Sequence, residues 1–360
     1  MSFSRESGPS AEEMGINPDE MQVEPSSDMS ENNTAPDHVN NQDQEIIADL
    51  VYANPEGYSN EQVAEVAIKD SEYAPCLVGE LAKRRDHEQV LGVLNHYKDG
   101  PIFEHCVGKV EAQLSGGEDQ DSFLLQLSES MRQAEGDAKP EGISDYTSEM
   151  AKRPERAARS LDNYLRLLGI DDDRVRDTLD KKSLLLVGGG TAPLKQGLTD
   201  RRIDCQLTNI DPMLTGNHEG NSDRPIAEDF YKVDADRLDQ FDEVWAVNNS
   251  LPTYAFNPDQ VRAFYQKSLG LVSENGNLKI MPVAGFKDSL TPAMRLNRVP
   301  TNNESLRCLE SIKGRPDLFE IEEMESPPDK VAFGRKSTMK GVNIKVIGSQ
   351  EQVRAFLREL

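Results

Sequence analysis

Apolar residues recur every three or four positions from about residue 43 to residue 136, and this spacing predicts a series of short helices. Pro55–Gly57 reads as a turn between two of them. Ser59 with Gln62 matches a capping box, and Asp86 is suited to be the N-cap of a later helix. We expect six helices that form a small all-helical domain over 43–136. They are predicted around residues 46–50, 63–67, 77–85, 87–94, 103–114 and 122–131.

The segments that flank this helical region have a different composition. Residues 1–42 are rich in Ser, Asn, Pro, Asp and Glu and contain almost no large apolar side chains, so we expect a disordered acidic tail. Residues 137–150 contain Gly, Pro and charged side chains and are expected to be a linker. The remaining residues, 151–360, form the second predicted domain.

In this second domain the spacing of apolar residues no longer predicts helices alone but predicts strands and helices in alternation. A helix is expected from Pro154 to Gly169, and the continuous apolar run Ser183–Val187 is typical of a central strand that is buried on both faces. Four more strands are predicted at 205–210, 230–233, 243–247 and 278–283, with a helix at 258–272 between the last two. This alternation favours an α/β fold, with a doubly wound, mostly parallel sheet.

The net charge of −24 is concentrated in the first part of the chain. Residues 1–150 contain 32 acidic and 9 basic side chains (net −23), whereas the remainder contains 32 and 31 (net −1). An acidic segment repels phosphate backbones, so we expect no nucleic-acid binding through the first half. The four cysteines form no CxxC pair and no stretch is apolar enough to span a bilayer, so we expect a cytoplasmic protein without a membrane partner.

The candidate chemistry lies where the predicted strands end. Gly188, Gly189 and Gly190 follow the first strand directly, and glycines there permit a sharp turn and a close approach of backbone to ligand. The second strand ends at Asp211 and Pro212, 23 positions after the first glycine, where a carboxylate can accept hydrogen bonds from both hydroxyls of a ribose. Carboxyl ends of parallel strands share one edge of the sheet, so these features are expected to meet.

This succession resembles the class I S-adenosylmethionine-dependent methyltransferases over about residues 154–347. The motifs that carry the resemblance are Leu185–Ala192, Ile210–Leu214, Asp234–Asp236, Phe241–Val244 and Leu269–Gly276. The resemblance implies a Rossmann-like sheet of seven strands, with a sixth strand near 318–324 and an antiparallel seventh near 342–347. It also implies that S-adenosylmethionine is the cofactor and that Asp234 and Ala235 meet its adenine, in addition to the contacts from the glycines, Asp211 and Pro212.

Methyl transfer from a sulfonium needs positioning and exclusion of water more than acid–base groups. The residues expected nearest the methyl group are Asn248, Asn249 and Tyr254, and Asn248 is also expected to orient the amino-acid part of the cofactor. Two departures from the family pattern are Leu186, where the family has an acidic residue, and Ala192, where it has a third glycine. The acceptor, a small molecule or a protein, is not identified by the sequence.

Other functions are weighed against the same residues. A dinucleotide motif would need glycine where Pro193 stands, so NAD and FAD are not expected. An aminopropyltransferase shares the glycine turn and Asp211 but would need carboxylates where Asn248 and Asn249 stand. A non-catalytic scaffold, with a partner protein bound to the helical domain, remains the third possibility. Three histidines nine positions apart (His87, His96 and His105) fit no helix face, so no metal is expected.

Overall fold

The computed structural model describes residues 41–114, 118–134, 160–190, 193–212, 214, 221–247, 257–283, 292–326 and 340–360. The described residues from Ala48 to Leu360 form one compact unit. Most of the tail predicted for 1–42 and all of the linker predicted for 137–150 lie outside the described residues. No described helix is both long enough and apolar enough to cross a membrane.

The six helices predicted for the first half are present. Their bounds are α1 Asn41–Ala53, α2 Asn60–Lys69, α3 Ala74–Lys83, α4 His87–Tyr97, α5 Ile102–Gln113 and α6 Glu118–Ala134, with a 3₁₀ turn at Pro55–Gly57. Ser59 and Gln62 form the predicted capping box, because each side chain bonds the other's backbone N–H. Asp86 caps α4 by accepting a hydrogen bond from the Gln89 N–H at 3.0 Å. Local helix signals in this half therefore gave correct element positions.

The second half contains one sheet of seven strands. The strands are β1 Lys182–Val187, β2 Cys205–Ile210, β3 Arg224–Ile226, β4 Phe241–Val247, β5 Val272–Met281, β6 Phe319–Glu325 and β7 Lys340–Val346. Their order is β3-β2-β1-β4-β5-β7-β6. Strands β1 to β5 pair in parallel, while β7 is antiparallel to both β5 and β6. The mixed sheet, with its antiparallel strand at the predicted place, fits a Rossmann-like methyltransferase fold.

Two strand predictions were wrong in position. Residues 230–233 form a turn, and β3 lies earlier, at Arg224–Ile226. The turn is held by the Lys267 ammonium, which donates to the carbonyls of Phe230 and Val233. The apolar residue types at these two positions had suggested a strand. Strand β5 begins at Val272, six residues before the predicted start. Asn275, at φ +64°, was expected in a turn that precedes the strand, but it forms a bulge within the strand.

Helices cover both faces of the sheet. They are α7 Leu161–Leu167, α8 Asp172–Leu179, α9 Leu194–Asp200, α10 Pro258–Gly270, α11 Pro292–Lys313 and α12 Gln350–Leu357. Alternate residues of β1 enter two different apolar clusters: Leu184 and Leu186 pack with α7, α8 and α9, and Leu185 and Val187 pack with α10, α11 and α12. Burial on both faces explains why this strand reads as a continuous apolar run.

Helix α11 joins the helical region to the sheet. Leu296, near its N-terminus, is buried in the apolar cluster of α1 to α6, and Val299 packs against the same cluster. Further along the helix, Leu309 and Ile312 belong to the sheet's cluster. The N-terminal half of α11 therefore packs with α1 to α6, which we call the helical bundle, and its C-terminal half packs on the sheet.

Charged side chains reinforce the packing of α11 on the bundle. Arg298 pairs with Glu111 of α5 at 3.3 Å. Arg307 and Asn303 both contact the largely buried carboxylate of Asp121 in α6, at 3.1 and 2.9 Å. Basic residues of α11 thus meet acidic residues of the bundle, and part of the first half's negative charge is neutralised within the chain.

Candidate functional site

The glycine turn follows β1 directly, as expected. Gly188 and Gly190 have φ of +69° and +68°, which glycine adopts without strain. Each of the three backbone N–H groups donates to the neighbouring strand segment: Gly188 to the Ile210 carbonyl at 2.7 Å, Gly189 to Asn209 Oδ1 at 3.2 Å, and Gly190 to Asp211 Oδ2 at 2.8 Å. The turn is therefore fixed against the end of β2 by the chain's own acceptors.

The predicted acidic residue lies beside this turn. Asp211 is 4% exposed, and its own N–H donates to the Ile226 carbonyl at the end of β3. Its carboxylate contacts Gly190, so the two predicted features meet at the carboxyl edge of the sheet. A carboxylate has about four lone-pair sites, so the bond from Gly190 is compatible with further bonds from a diol. Pro212 follows it and is half-buried.

Two buried asparagines that the sequence reasoning missed lie beneath the same turn. Asn209 of β2 is 0% exposed and Asn221 is 1% exposed. Asn209 Nδ2 donates to the Gly190 carbonyl at 3.0 Å and to Asn221 Oδ1 at 2.9 Å, and Asn221 Nδ2 donates to the same carbonyl at 3.2 Å. A Cβ at Gly189 would lie 2.6 Å from Asn209 Oδ1. The missing side chain at Gly189 therefore makes room for Asn209.

The segment after β3 carries a second buried carboxylate. Asp229 is 8% exposed, its Oδ1 accepts from the Tyr231 N–H at 3.0 Å, and its Oδ2 has no hydrogen-bond partner among the described residues. Lys267 lies close to this segment, where burial lowers the pKa of its ammonium and the charge of Asp229 opposes that shift. Burial likewise raises the pKa of Tyr231 above its usual range. Asp229 had not been singled out from the sequence.

The residues predicted to meet adenine lie further along this segment and are exposed. Asp234 accepts a hydrogen bond from the Asp236 N–H at 3.0 Å and so begins a 3₁₀ turn at Ala235–Arg237. That turn contacts Arg224, the first residue of β3, through the Arg237 carbonyl at 3.0 Å. Asp234 and Ala235 thus lie at an exposed 3₁₀ turn, and their role in binding adenine stays a prediction.

Other predicted site residues lie outside the described residues. These are Asn248, Asn249 and Tyr254, together with Ala192 of the glycine motif. Their proposed roles stay predictions. The helix after the glycine turn, α9, has only seven residues and begins after Pro193, which has no N–H to offer a ligand.

Three of the four thiols are buried, and no metal centre is indicated among the described residues. The four cysteines are unpaired, and burial raises the pKa of Cys106, Cys205 and Cys308 to about 12, so these thiols stay protonated at neutral pH. No group of three or more His, Cys, Asp or Glu side chains in the described ranges is arranged to hold a metal ion.

A polar cavity of about 440 Å³ lies elsewhere, between α8 and the face of β4 to β7. Its floor contains a buried ion pair between Glu243 and Lys279, and Glu243 also accepts from Trp245 Nε1 and Asn277 Nδ2, each at 2.9 Å. Three basic and three acidic side chains line it, namely Arg174, Lys182, Lys279, Asp177, Glu243 and Glu322. Such a balance selects no ligand by charge, and the cavity is separate from the turn at Gly188–Gly190.

Comparisons with known proteins give resemblances to solved structures alone. No family model matches the sequence, and no curated protein matches it. The N-methyltransferase NodS from Bradyrhizobium japonicum WM9 is similar at 11% identity and a TM-score of 0.32, covering 52% of this chain and 94% of that one. The plantazolicin methyltransferase BamL is similar at 11% identity and a TM-score of 0.38, covering 64% of this chain and 97% of that one. A Burkholderia thailandensis 1,6-didemethyltoxoflavin-N1-methyltransferase is similar at 14% identity and a TM-score of 0.33, covering 65% of this chain and 92% of that one.

Proposed function

We propose that the chain binds S-adenosylmethionine at the carboxyl edge of the sheet and transfers its methyl group to an acceptor. The observation that carries the proposal is the contact between the glycine turn and the acidic end of β2, where Gly190 N lies 2.8 Å from Asp211 Oδ2. Ligands of open α/β sheets bind outside the carboxyl ends of the strands, next to the point where the strand order reverses. Strand β1 lies at that point, between β2 and β4.

The residues at this edge fit an adenosyl group. The carboxylate of Asp211 suits the two hydroxyls of a ribose. Asp229 Oδ2, buried and without a hydrogen-bond partner among the described residues, suits an N–H donor such as the adenine amino group. We therefore propose Asp229 for this contact alongside the original candidates Asp234 and Ala235. The glycines, Pro212 and Asn248 complete the proposed cofactor-binding set.

The acceptor would bind beyond the same edge, close to the helical bundle. Helix α11 follows β5 in the chain, and its N-terminal half packs in the bundle while its C-terminal half packs on the sheet. We propose that α1 to α6 form a domain over residues 43–136 that contributes a wall of the acceptor site or recruits a partner protein. Asn248, Asn249 and Tyr254 remain the candidates for contact with the acceptor.

The chemistry asks little of the protein beyond geometry. The bound cofactor supplies the electrophilic methyl group, and the chain's residues have to orient it and exclude water. Asp211 would hold the sugar, and the fixed backbone of Gly188–Gly190 would set where the methionine end can lie. The unpaired cysteines are in keeping with our proposal that the protein works in the cytoplasm.

Calorimetric titration of the full chain with S-adenosylhomocysteine tests the proposal. We expect saturable 1:1 binding that is weakened at least about tenfold by Asp211→Asn, because a hydroxyl-binding carboxylate contributes on the order of 1.5–3 kcal/mol. Asp239→Asn is the matched control, since its side chain is 92% exposed and distant in sequence. A ligand whose ribose lacks both hydroxyls should bind the wild type and Asp211→Asn with similar, weak affinity.

Two results would overturn the proposal. Absence of binding by the wild-type chain would favour the scaffold interpretation, in which the protein binds a partner protein and catalyses no reaction. Equal affinity of wild type and Asp211→Asn for the intact ligand would show binding at another place. The aminopropyltransferase alternative is not proposed, because Asn248 and Asn249 stand where it would need carboxylates.

A further inference from the structure

A buried polar network supports the glycine turn from below. Asn209 accepts from the Gly189 N–H and donates to the Gly190 carbonyl, and Asn221 donates to the same carbonyl. The two asparagines are joined to each other at 2.9 Å. Between them they bond both sides of the peptide units around Gly189 and Gly190, so the orientation of those peptides depends on two side chains outside the turn.

The position of Asn209 is unusual for a strand of this kind. It is the register partner of Leu186 on β1, and Leu186 is buried in the apolar cluster with α7. A buried polar side chain in such a place is costly unless its hydrogen bonds are made. Both ends of the Asn209 amide are satisfied, and all of its protein partners in the described residues belong to the turn or to Asn221. The hydrogen bonds of the Asn209 side chain therefore stabilise the glycine turn and no other described segment apart from Asn221.

Only a side chain with both a donor and an acceptor fits this network. Asn209 must accept from an N–H and donate to two oxygens, which an amide can do and a carboxylate or an alkyl group cannot. The fit is also tight, since a Cβ at Gly189 would approach Asn209 Oδ1 to 2.6 Å. Any change in the amide therefore alters either the hydrogen bonds or the packing of the turn.

We propose that Asn209 and Asn221 are positioning residues that hold the Gly188–Gly190 turn, and through the Gly190–Asp211 contact the ribose-binding carboxylate, in the geometry that binds the cofactor. This inference rests on the proposed function. Neither asparagine is expected to touch the reacting atoms. The two asparagines would organise the site before the ligand binds. Their loss should therefore change both the ligand affinity and the protection of the turn's backbone amides from hydrogen exchange.

Three variants separate this role from general support of the fold. Asn209→Ala removes all three side-chain hydrogen bonds of Asn209, leaving only that of Asn221 to the Gly190 carbonyl, and should weaken S-adenosylhomocysteine binding roughly ten- to a hundredfold at every pH. Asn209→Asp keeps an acceptor for Gly189 but opposes the oxygens of Gly190 and Asn221 when ionised. Burial and the carboxylate of Asp211 should raise the pKa of the introduced group, so protonation restores one donor. Asn54→Asp, at an exposed position, is the matched control.

The measurement is the dissociation constant of S-adenosylhomocysteine from pH 5 to pH 8.5. Relative to wild type, Asn209→Asp should bind weakly at high pH and regain affinity as the pH falls, whereas Asn209→Ala should not. The ionisable groups on the adjoining segments, Asp211 and the ion pair of Lys195 with Asp223, are present in all of these proteins, so each variant is compared with the wild type at the same pH. Wild-type affinity in both variants would overturn the inference.

Hydrogen–deuterium exchange without ligand keeps the inference testable if the wild type binds no cofactor. Asn209→Ala and Asn221→Ala should raise amide exchange at residues 188–190 while leaving that of α12 unchanged. Raised exchange at the turn with no binding in the wild type would refute the proposed function and leave the positioning role standing. Exchange unchanged at the turn, or raised equally across the domain, would refute the positioning role itself.

Discussion

Substitution of Gly189 by alanine is predicted to destabilise the protein through a single contact. The added Cβ would lie 2.6 Å from Asn209 Oδ1 and 3.0 Å from its Cγ, well inside ordinary van der Waals separation. Asn209 is fully buried and held by its hydrogen bonds to Gly189, Gly190 and Asn221, so any movement of its side chain breaks some of these bonds.

The magnitude follows from the two ways in which the structure can respond. Keeping Asn209 in place forces overpacking, which costs about 1–3 kcal/mol. Moving it aside breaks up to three hydrogen bonds at about 1 kcal/mol each. We therefore expect Gly189→Ala to lower the free energy of unfolding by about 2–3 kcal/mol. The φ of Gly189 is not in the left-handed region, so backbone strain adds nothing to this figure.

A double-mutant cycle measured by denaturant unfolding tests the reasoning. In an Asn209→Ser background, most of the clashing atoms are gone, and the cost of Gly189→Ala should fall below about 1 kcal/mol. Gly92→Ala is the control, because a Cβ at this exposed position in α4 would meet nothing within 4 Å and should stabilise the helix by about 0.5–1 kcal/mol. An equal cost of Gly189→Ala in both backgrounds would show that Asn209 is not the obstacle.

Three further predictions concern other parts of the described structure. Burial alone would raise the pKa of Asp242, but hydrogen bonds from the Ser183 N–H and hydroxyl outweigh it and lower the pKa. The ionised carboxylate therefore stabilises the folded state above about pH 4, and this contribution is lost as the pH falls through the lowered folded-state pKa. Asp242→Asn should therefore cost most above pH 4, with a cost that shrinks on acidification in urea unfolding. Asp121→Ala should lower stability by about 1–2 kcal/mol because it removes the largely buried carboxylate that Asn303 and Arg307 of α11 both contact, whereas Glu65→Ala, in an exposed pair, should cost under about 0.5 kcal/mol. Lys267→Met should cost about 2–3 kcal/mol and increase proteolysis of the segment after β3, which its ammonium holds; wild-type protection there would contradict this role.

The parts of the fold that the sequence predicts correctly have local signals. Strand β1 is a continuous apolar run because both of its faces are covered, and Ser59 with Gln62 marks a helix start that needs no distant partner. Strand β3 lacks such a signal. It is a three-residue edge strand in which Arg224 and Pro225 are exposed, so its composition resembles that of a loop.

Helix α11 went unpredicted for a different reason. Pro300 lies inside it and normally interrupts a helix, and its apolar residues face two different clusters along its length, so no single stripe repeats. Tertiary packing on the bundle and on the sheet stabilises it where local propensity does not.

The candidate site divides in the same way. The glycines and Asp211 are recognisable because a turn and a strand end have characteristic residues at characteristic spacing. Asn209, Asn221 and Asp229 act through contacts between segments that are distant in the chain, and nothing in their immediate neighbours distinguishes them. The one available signal was an asparagine within the otherwise buried strand Cys205–Ile210, where an amide needs a reason to be buried.

A crystal structure of the full chain with S-adenosylhomocysteine bound is the most direct test of where the cofactor lies. We predict that both ribose hydroxyls will be within about 3 Å of the Asp211 carboxylate and that the homocysteine chain will cross Gly188–Gly190. An adenosyl group bound in the cavity beside Lys279, or an Asp211 carboxylate that contacts only Gly190 in the complex, would contradict the assignment.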